Sequence, residues 1–369
     1  MKYMKVLYIS NYPSPYRVDF FNLLGQKVDL TVSFTERPEE QRHRAKAWFH
    51  TNYDHFKAVF LKKKIGKIFF DIIPLIKKGW DYIILGGYST PTLMLAIEYM
   101  RLRRIPFAIE ADGGLLKREG RIKYQVKRHF IRSASAWFSS GKTTTDYFLH
   151  YGAKKEKIYF YPFSSLLQRD LDKAKELMES KAGLHRNFEK TSELKKEYRH
   201  VVLSIGQFIH RKGFDILIKA AAKLPADTGI YIIGGSPTEE YIALVDQFKL
   251  NNVYFLGFKT KDELRNYFLA ADVFAMPTRE DIWGLVINEA LSYGLPVVST
   301  DRCVAALEMI QDGVNGYIVP VEDVDALASG IEKVLASDSA KMKSSAYNSV
   351  RQHTIENMVE AHVKVIGAH

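Results

Sequence analysis

Two acidic side chains frame a glycine in the segment 277–296, which reads PTREDIWGLVINEALSYGLP. Asp281 lies in a polar stretch before Gly284, and the following residues are typical of a helix that ends at Gly294. A helix N-terminus offers unpaired N–H groups and a partial positive charge, so it attracts anions. Glu289 should lie about 7–8 Å further along the helix axis. This spacing predicts a ligand with phosphates at the helix start and hydroxyl groups to either side, such as a nucleotide-sugar; the alternative is a surface loop and an amphipathic helix.

A basic pair follows a predicted strand in the segment 204–220, which reads SIGQFIHRKGFDILIKA. Gly206 is expected to turn the chain, and Arg211 and Lys212 precede another turn at Gly213. Cations beside a glycine turn are suited to neutralise a diphosphate, arginine as a fork and lysine as a point charge. The alternative is an ordinary strand-to-helix loop, because such loops are often basic.

The two segments resemble the signature of retaining glycosyltransferases of the B-type fold (GT-B), the group 1 or family 4 type. In the Glu-x7-Glu motif of that family, Asp281 takes the first acidic position and Trp283 replaces a phenylalanine. Glu280, one residue earlier, is the alternative for the first acidic position. The glycine and lysine motif matches at Gly206, Lys212 and Gly213, but Gln207 stands where many relatives have arginine.

The resemblance also covers 252–278, so that it extends over essentially all of residues 200–335. It implies that Lys212, Arg211 and the N–H groups after Gly284 stabilise the departing diphosphate. It further implies that Glu289 binds the ribose and Asp281 the sugar hydroxyls. The residues that it assigns to donor binding or transfer are Asp281, Lys212, Glu289, Arg211, Gly206, Gly257, Phe258, Lys259, Gly284, Leu285, Val286 and Glu280.

The segment 106–120, PFAIEADGGLLKREG, resembles a family element whose histidine lines the acceptor side of the reacting centre. Counting from Pro106, Asp112 falls on that histidine position, so the catalytic candidates are Asp281, Lys212 and Asp112. Glu110 should share a strand face with Asp112, because side chains at i and i+2 point to the same side. We therefore expect both to face the ligand, Glu110 on the acceptor side; the alternative is a strand end that turns through Asp-Gly-Gly.

Short apolar runs alternate with helical patterns along both halves of the chain, which predicts an α/β protein with two doubly wound Rossmann-like domains around a cleft. A chain of 369 residues also exceeds the usual size of one core. We expect an N-terminal acceptor- and membrane-facing domain over 1–166 and a donor domain over 167–353. The charged segment 169–199 is the expected connection, and a C-terminal helix over about 354–369 is expected to pack back on the first domain.

Positive charge is concentrated in the first domain. Residues 1–165 hold 29 Lys and Arg against 14 Asp and Glu, a net +15, and the remainder holds 24 against 28, a net −4. Such asymmetry predicts an anionic partner, here a membrane surface, although a solvated basic face is the alternative. The candidate contacts to membrane or acceptor are Glu110, Arg118, Arg121, Lys127 and Arg128.

The remaining features narrow the class of protein. One cysteine, Cys303, excludes an intrachain disulfide, and no apolar run reaches the length of a transmembrane helix. A dinucleotide fingerprint, a Walker loop and a metal-spaced His/Cys set are absent from the sequence. We expect a cytoplasmic enzyme, peripheral at the inner face of the plasma membrane, that needs no metal or other cofactor.

The expected substrates are a nucleoside diphosphate sugar, with UDP as the expected nucleotide, and a lipid-linked saccharide of cell-surface polysaccharide assembly. Three alternatives remain: a nucleotide-sugar epimerase of the same fold, a non-catalytic sugar-nucleotide binding protein, and a nucleic-acid binder. No nucleic acid is expected, because no motif for it accompanies the charge.

Overall fold

A computed structural model describes residues 3–36, 52–180 and 198–368. The chain forms two compact units, Met1–Ser165 with His353–His369, and Leu166–Gln352. Of the expected connection 169–199, the helix up to residue 179 is described, and residues 181–197 lie outside the described part.

The first unit is built on a parallel sheet. Within the described residues, seven strands form this sheet in the order β3-β2-β1-β6-β7-β8-β9, and β4 and β5 form a small hairpin beside it. The strands are β1 (Lys5–Ser10), β2 (Asp29–Phe34), β3 (Lys57–Phe60), β4 (Lys64–Ile65), β5 (Ile68–Phe69), β6 (Tyr82–Leu85), β7 (Ala108–Ala111), β8 (Ala136–Ser139) and β9 (Ile158–Phe160). The helices before residue 165 are α1 (Pro15–Gly25), α2 (Ile72–Ile76), α3 (Pro91–Arg103), α4 (Arg121–Ile131) and α5 (Lys142–His150).

A C-terminal helix, Ile355–Ile366, belongs to this first unit and packs on α1. The Thr354 side chain accepts a hydrogen bond from the Asn357 N–H and so caps the helix start. Apolar residues line its buried face, together with one histidine, His362.

The second unit repeats the same principle. Among the described residues, its sheet has six parallel strands in the order β12-β11-β10-β13-β14-β15. They are β10 (His200–Ile205), β11 (Thr228–Ile233), β12 (Val253–Leu256), β13 (Val273–Met276), β14 (Val297–Thr300) and β15 (Gly316–Val319). The helices are α6 (Gln168–Glu179), α7 (Phe214–Ala221), α8 (Glu239–Gln247), α9 (Lys261–Ala270), α10 (Leu285–Ser292), α11 (Val304–Met309), α12 (Val324–Leu335) and α13 (Ser339–Val350).

The strands of both sheets are nearly continuous apolar runs. This is expected of a parallel sheet, because helices cover both of its faces. The β11 strand, for example, is buried at every position. The predicted α/β class with Rossmann-like units is confirmed. The strand order reverses at β10, since β11 and β12 follow on one side and β13 to β15 on the other. Ligands in such sheets bind beyond the carboxyl ends of the strands at this point.

No helix in the described ranges has the length and apolar character needed to cross a membrane.

Candidate functional site

The loops after β10 and β13 meet at the point where the strand order reverses. The Nζ atom of Lys212 donates a hydrogen bond to Oδ2 of Asp281 at 2.6 Å, and Nη1 of Arg211 lies 3.4 Å from the same oxygen. The Lys212 and Asp281 side chains are largely buried, whereas that of Arg211 is exposed. The structure thus brings the predicted residue Asp281 together with Arg211 and Lys212, which precede it by about 70 positions in the sequence.

Asp281 and Glu280 have different places in this loop. The Asp281 carboxylate pairs with both cations, and Glu280 contributes its carbonyl oxygen to Nη1 of Arg211 at 2.7 Å. The Asp281 N–H also donates to the Arg302 carbonyl at 2.8 Å, which fixes the backbone. This geometry favours Asp281 for the first acidic position, and that assignment stays a prediction.

Arg279 holds the loop in place, a role that the sequence motifs do not indicate. Its two terminal nitrogens donate to the two carboxylate oxygens of Asp215 at 2.8 and 2.7 Å, and its Nη1 also donates to the His210 carbonyl at 2.6 Å. Arg279 also pairs with Glu322. Burial alone would raise the pKa of Asp215, but the hydrogen bonds and charge of Arg279 lower it below its usual range. Hydrogen bonds from Arg279 to Asp215 raise the pKa of the guanidinium.

Gly284 starts α10 with a left-handed backbone, φ +99°. A Cβ atom there would lie 2.7 Å from Sγ of Cys303, so a side chain is excluded by space as well as by backbone angle. The half-buried Leu285 and Val286 follow in the first turn, and Glu289 is half-buried one turn later. Leu285 and Val286 therefore present the N–H groups of a helix N-terminus beside the loop that carries Asp281, whereas the Ile287 N–H donates to the Gly284 carbonyl at 2.8 Å.

Two neighbours fix this helix start. The buried Trp283 donates from Nε1 to Oδ1 of Asn288 at 2.8 Å, and Sγ of Cys303 donates to the Trp283 carbonyl at 3.1 Å. Burial raises the pKa of Cys303 to about 12, so this sulfur remains a thiol. The tryptophan at the family's phenylalanine position thus has a structural partner inside the same motif.

Gly206 and the predicted donor residues 257–259 lie at the carboxyl ends of β10 and β12, two strands of the same sheet that β11 separates. Gly206 follows β10, and a Cβ atom there would lie 3.4 Å from the Cδ and Cε atoms of Lys212. Gly257 and Phe258 follow β12 and are exposed, and Lys259 holds its Nζ 5.7 Å from the ring centre of Tyr267. Both segments lie at the carboxyl ends of strands in the same sheet as the Lys212–Asp281 pair.

In the first unit, Asp112 follows β7 and belongs to a charged cluster. It accepts hydrogen bonds from Nη2 of Arg17 and from the Tyr161 hydroxyl, the latter at 3.0 Å. Its side chain is 31% exposed. Burial raises its pKa and so does the nearby Glu110, whereas Arg17 acts in the opposite direction.

Glu110 requires a correction. Its side chain is 0% exposed and contacts Arg17 and His362, so it does not face an acceptor or a membrane as expected. The expectation that Glu110 and Asp112 share a strand face is consistent with their common partner, Arg17. The error concerned what lies against that strand face at Glu110. Arg17, in the first turn of α1, and His362, on the C-terminal helix, cover it there.

The basic residues expected at a membrane fall into two groups. Arg118 and Arg121 are exposed. Lys127 instead points inward, with Nζ 2.7 Å from Oε2 of Glu119 and 3.1 Å from the Tyr151 hydroxyl, and its side chain is 19% exposed. Arg128 is half-buried. Lys127 is therefore a packing residue of the first unit rather than a surface contact.

Exposed apolar side chains lie among the remaining cations of α4. Ile122 is 82% exposed and Val126 43%, one turn apart on the helix, and Leu116 is exposed in the preceding segment. Within the described parts of the chain, no group of three or more His, Cys, Asp or Glu side chains is arranged to hold a metal ion.

Comparisons of the whole fold agree with this architecture. Anabaena HepE, whose structure was solved with UDP and glucose, superposes with a TM-score of 0.71 at 18% identity, covering 99% of this chain and 100% of that one. A glycosyltransferase from Rickettsia africae superposes with a TM-score of 0.76 at 16% identity, covering 100% and 98%. At these identities the similarity shows the fold, which is GT-B.

The second unit carries the sequence similarity. Residues 185–352 match the family described as Glycosyl transferases group 1. The lipopolysaccharide core biosynthesis glycosyltransferase LpsE of Rhizobium meliloti (strain 1021) is 35% identical over 147 residues, which cover 39% of this chain and 42% of LpsE. The chain thus matches less than half the length of this curated relative. The similarity to the group 1 glycosyl transferases is thus a property of residues 185–352, which are less than half of the chain.

Proposed function

We propose that the protein transfers a hexosyl group from a nucleoside diphosphate sugar to a lipid-linked saccharide, with retention at the anomeric carbon. The observation that carries the proposal is the Lys212–Asp281 pair, 2.6 Å apart, beside the start of α10 and at the point where the strand order reverses. Cations, helix N–H groups and carboxylates converge there, as a ligand with phosphates and sugar hydroxyls requires.

The diphosphate is the leaving group, so negative charge develops on it as the bond to the sugar breaks. Lys212 and the N–H groups that follow Gly284 stabilise that charge from fixed positions, and such preorganised stabilisation is usually the largest single contribution to catalysis. Arg211, with its exposed side chain, adds a second cation from the solvent side. Before the donor binds, the hydrogen bond to Asp281 fixes the position of the Lys212 ammonium group.

The transfer exchanges one bond at the anomeric carbon for another. The bond from that carbon to the diphosphate oxygen breaks, a bond to the acceptor oxygen forms on the same face, and the acceptor proton passes to the departing diphosphate. Asp281 binds hydroxyls of the transferred sugar, and Glu289 binds the ribose. Asp112 contacts a hydroxyl of the transferred sugar or of the acceptor.

The proposed acceptor is lipid-linked because α4 and the segment before it combine cations with exposed apolar side chains. Ile122, Val126 and Leu116 are suited to the acyl boundary, and Arg118 and Arg121 to anionic headgroups at about 1 kcal/mol each. The similarity to LpsE, a lipopolysaccharide core glycosyltransferase, supports the same class of acceptor. We place the protein at the cytoplasmic face of the plasma membrane.

Vesicle sedimentation tests this membrane surface. The change of Ile122 and Val126 to serine, or of Arg118 and Arg121 to glutamine, should reduce binding to vesicles that contain phosphatidylglycerol. The control is Ile242→Ser, since Ile242 is about as exposed as Val126 but lies on α8 of the second unit. If both double variants bind the vesicles as the wild type does, the membrane proposal is wrong. That result would not contradict the proposed transfer reaction.

A screen of UDP, GDP and dTDP by thermal shift tests the donor site. A nucleotide present at 100 times its Kd should stabilise the protein by about 2.7 kcal/mol. Lys212→Ala should remove the shift, whereas Lys223→Ala, which breaks a lysine–aspartate pair elsewhere in the second unit, should retain it. If no nucleoside diphosphate stabilises the wild type, the proposal is wrong. We further propose that transfer needs no metal, so EDTA should leave the rate unchanged.

A further inference from the structure

A network of ionisable side chains in the first unit connects Asp112 to the C-terminal helix. Oε1 of Glu110 accepts a hydrogen bond from Nη1 of Arg17 at 2.6 Å, and Oε2 lies 2.8 Å from Nε2 of His362. The side chains of Glu110 and His362 are 0% exposed. Three elements are joined in this way, namely α1, β7 and the C-terminal helix.

His362 closes the buried end of the network. Its Nδ1 lies 2.7 Å from the carbonyl of Met358, and its ring stacks on Phe138 with centres 4.4 Å apart and planes at 9°. Burial alone would raise the pKa of Glu110, but Arg17 and His362 outweigh it and hold that pKa well below its usual range. Both ring nitrogens of His362 thus face hydrogen-bond acceptors, the Glu110 carboxylate and the Met358 carbonyl.

Arg17 connects this buried end to Asp112. One amino group donates to Glu110 and the other to Asp112, and the guanidinium carbon lies 5.3 Å from the ring centre of Phe163. A planar fork held by a buried carboxylate has little freedom to rotate. Asp112 is the part of the network whose side chain reaches solvent to a substantial degree, at 31%.

We propose that Arg17 is a positioning residue for Asp112, and that Glu110 and His362 fix the orientation of Arg17. The C-terminal helix thereby takes part in holding the Asp112 carboxylate at the carboxyl end of β7. This inference rests on the proposed function, in which Asp112 contacts sugar or acceptor. A network with a purely structural role would change stability without changing turnover or its pH dependence.

The groups that face Asp112 come from four elements. They are Arg17 on α1, Tyr161 after β9, Glu110 on β7 and Tyr8 on β1, whose hydroxyl lies 3.4 Å from Nη1 of Arg17. Arg17 supplies the cation among them, so its loss should make Asp112 harder to ionise. The acid limb of the kcat profile should then move to higher pH.

The experiment compares kcat, donor KM, the pH profile and Tm in variants of the full-length protein. Arg17→Lys keeps the charge but not the fork, so we expect kcat to fall at least tenfold with donor KM within twofold of wild type. Arg17→Gln should also shift the acid limb upward. Asp112→Asn should lower kcat similarly, and Arg17→Lys should cost nothing further in the Asp112→Asn background.

If the Arg17 variants do not fold, His362→Gln tests the same inference. Glutamine retains a donor to Glu110, and we expect this variant also to lower kcat. Arg265→Gln is the control, a partly buried arginine of the second unit that pairs with Asp262. Wild-type kcat and pH profile in Arg17→Lys, or in His362→Gln where the former does not fold, would overturn the inference. So would losses that multiply in the Arg17→Lys/Asp112→Asn double variant. A wild-type protein that transfers no sugar would instead contradict the proposed function.

Discussion

Replacement of Gly284 by alanine tests how closely the start of α10 is built around its neighbours. The new Cβ atom would lie 2.7 Å from Sγ of Cys303 and 3.2 Å from Cε of Met276, on a backbone with φ +99°. A left-handed backbone costs an alanine about 1–2 kcal/mol, and overlap in a packed interior adds about 1–3 kcal/mol. We expect the free energy of unfolding, measured in urea, to fall by about 2–5 kcal/mol. UDP binding should weaken as well, because the N–H groups of Leu285 and Val286 move.

Two controls separate the two contributions. Gly79 also has a positive φ, +78°, but no described atom lies within 4 Å of the position that a Cβ atom would take, so Gly79→Ala should show the backbone cost alone. Removal of the sulfur in Cys303→Ala should make the double variant with Gly284→Ala less destabilised than the sum by about 1 kcal/mol. Equal losses in the two glycine variants, or additive losses in the double variant, would refute the overlap. Normal UDP affinity in Gly284→Ala would refute the role of the helix start.

Three further results are expected. Lys212→Ala should lose about 2–4 kcal/mol of transition-state stabilisation in kcat/KM, and Lys212→Arg should recover part of it; wild-type kcat/KM in the alanine variant would exclude the residue. Glu289→Ala should weaken UDP binding in calorimetry, whereas Asp281→Ala should mainly lower kcat, and the reverse pattern would contradict the assigned roles. The folded-state pKa of Asp215 lies below the unfolded value of about 3.9, so its stabilisation by Arg279 is complete above that pH and disappears as pH falls through the folded-state pKa. Thermal unfolding from pH 6 to pH 2 should therefore be less pH-dependent in Asp215→Asn, and an unchanged dependence would contradict the pairing.

The regular alternation of apolar runs and helical patterns was enough to predict the α/β class. Two helices of the first unit, α2 and α5, have local signals too weak for such a prediction. Helix α5 contains three consecutive threonines, Thr143 to Thr145, which are poor helix formers, and α2 is only five residues long and contains Pro74. Tertiary packing rather than local propensity determines these two helices.

The residues of the candidate site could likewise be predicted only where a local sequence motif marks them. Motif spacing identified Lys212 and Asp281 as candidates, because each lies beside a glycine turn at the end of an apolar strand. The pairing of Arg17 with Glu110 spans 93 positions, and that of Glu110 with His362 spans 252. Such contacts depend on how distant elements pack, so period-two alternation could place Glu110 on a face but not say what covers that face.

Product analysis of a single reaction tests the central claim most directly. The purified protein is incubated with UDP-, GDP- and dTDP-hexoses and a lipid-diphosphate saccharide, and the nucleotide and glycolipid products are quantified by mass spectrometry. We predict equal amounts of nucleoside diphosphate and extended glycolipid, with the anomeric configuration of the donor retained in the NMR spectrum, and loss of both products in Asp281→Ala. A donor that is converted to another sugar nucleotide without acceptor, or full transfer by Asp281→Ala, would contradict the assignment of the reaction to this site.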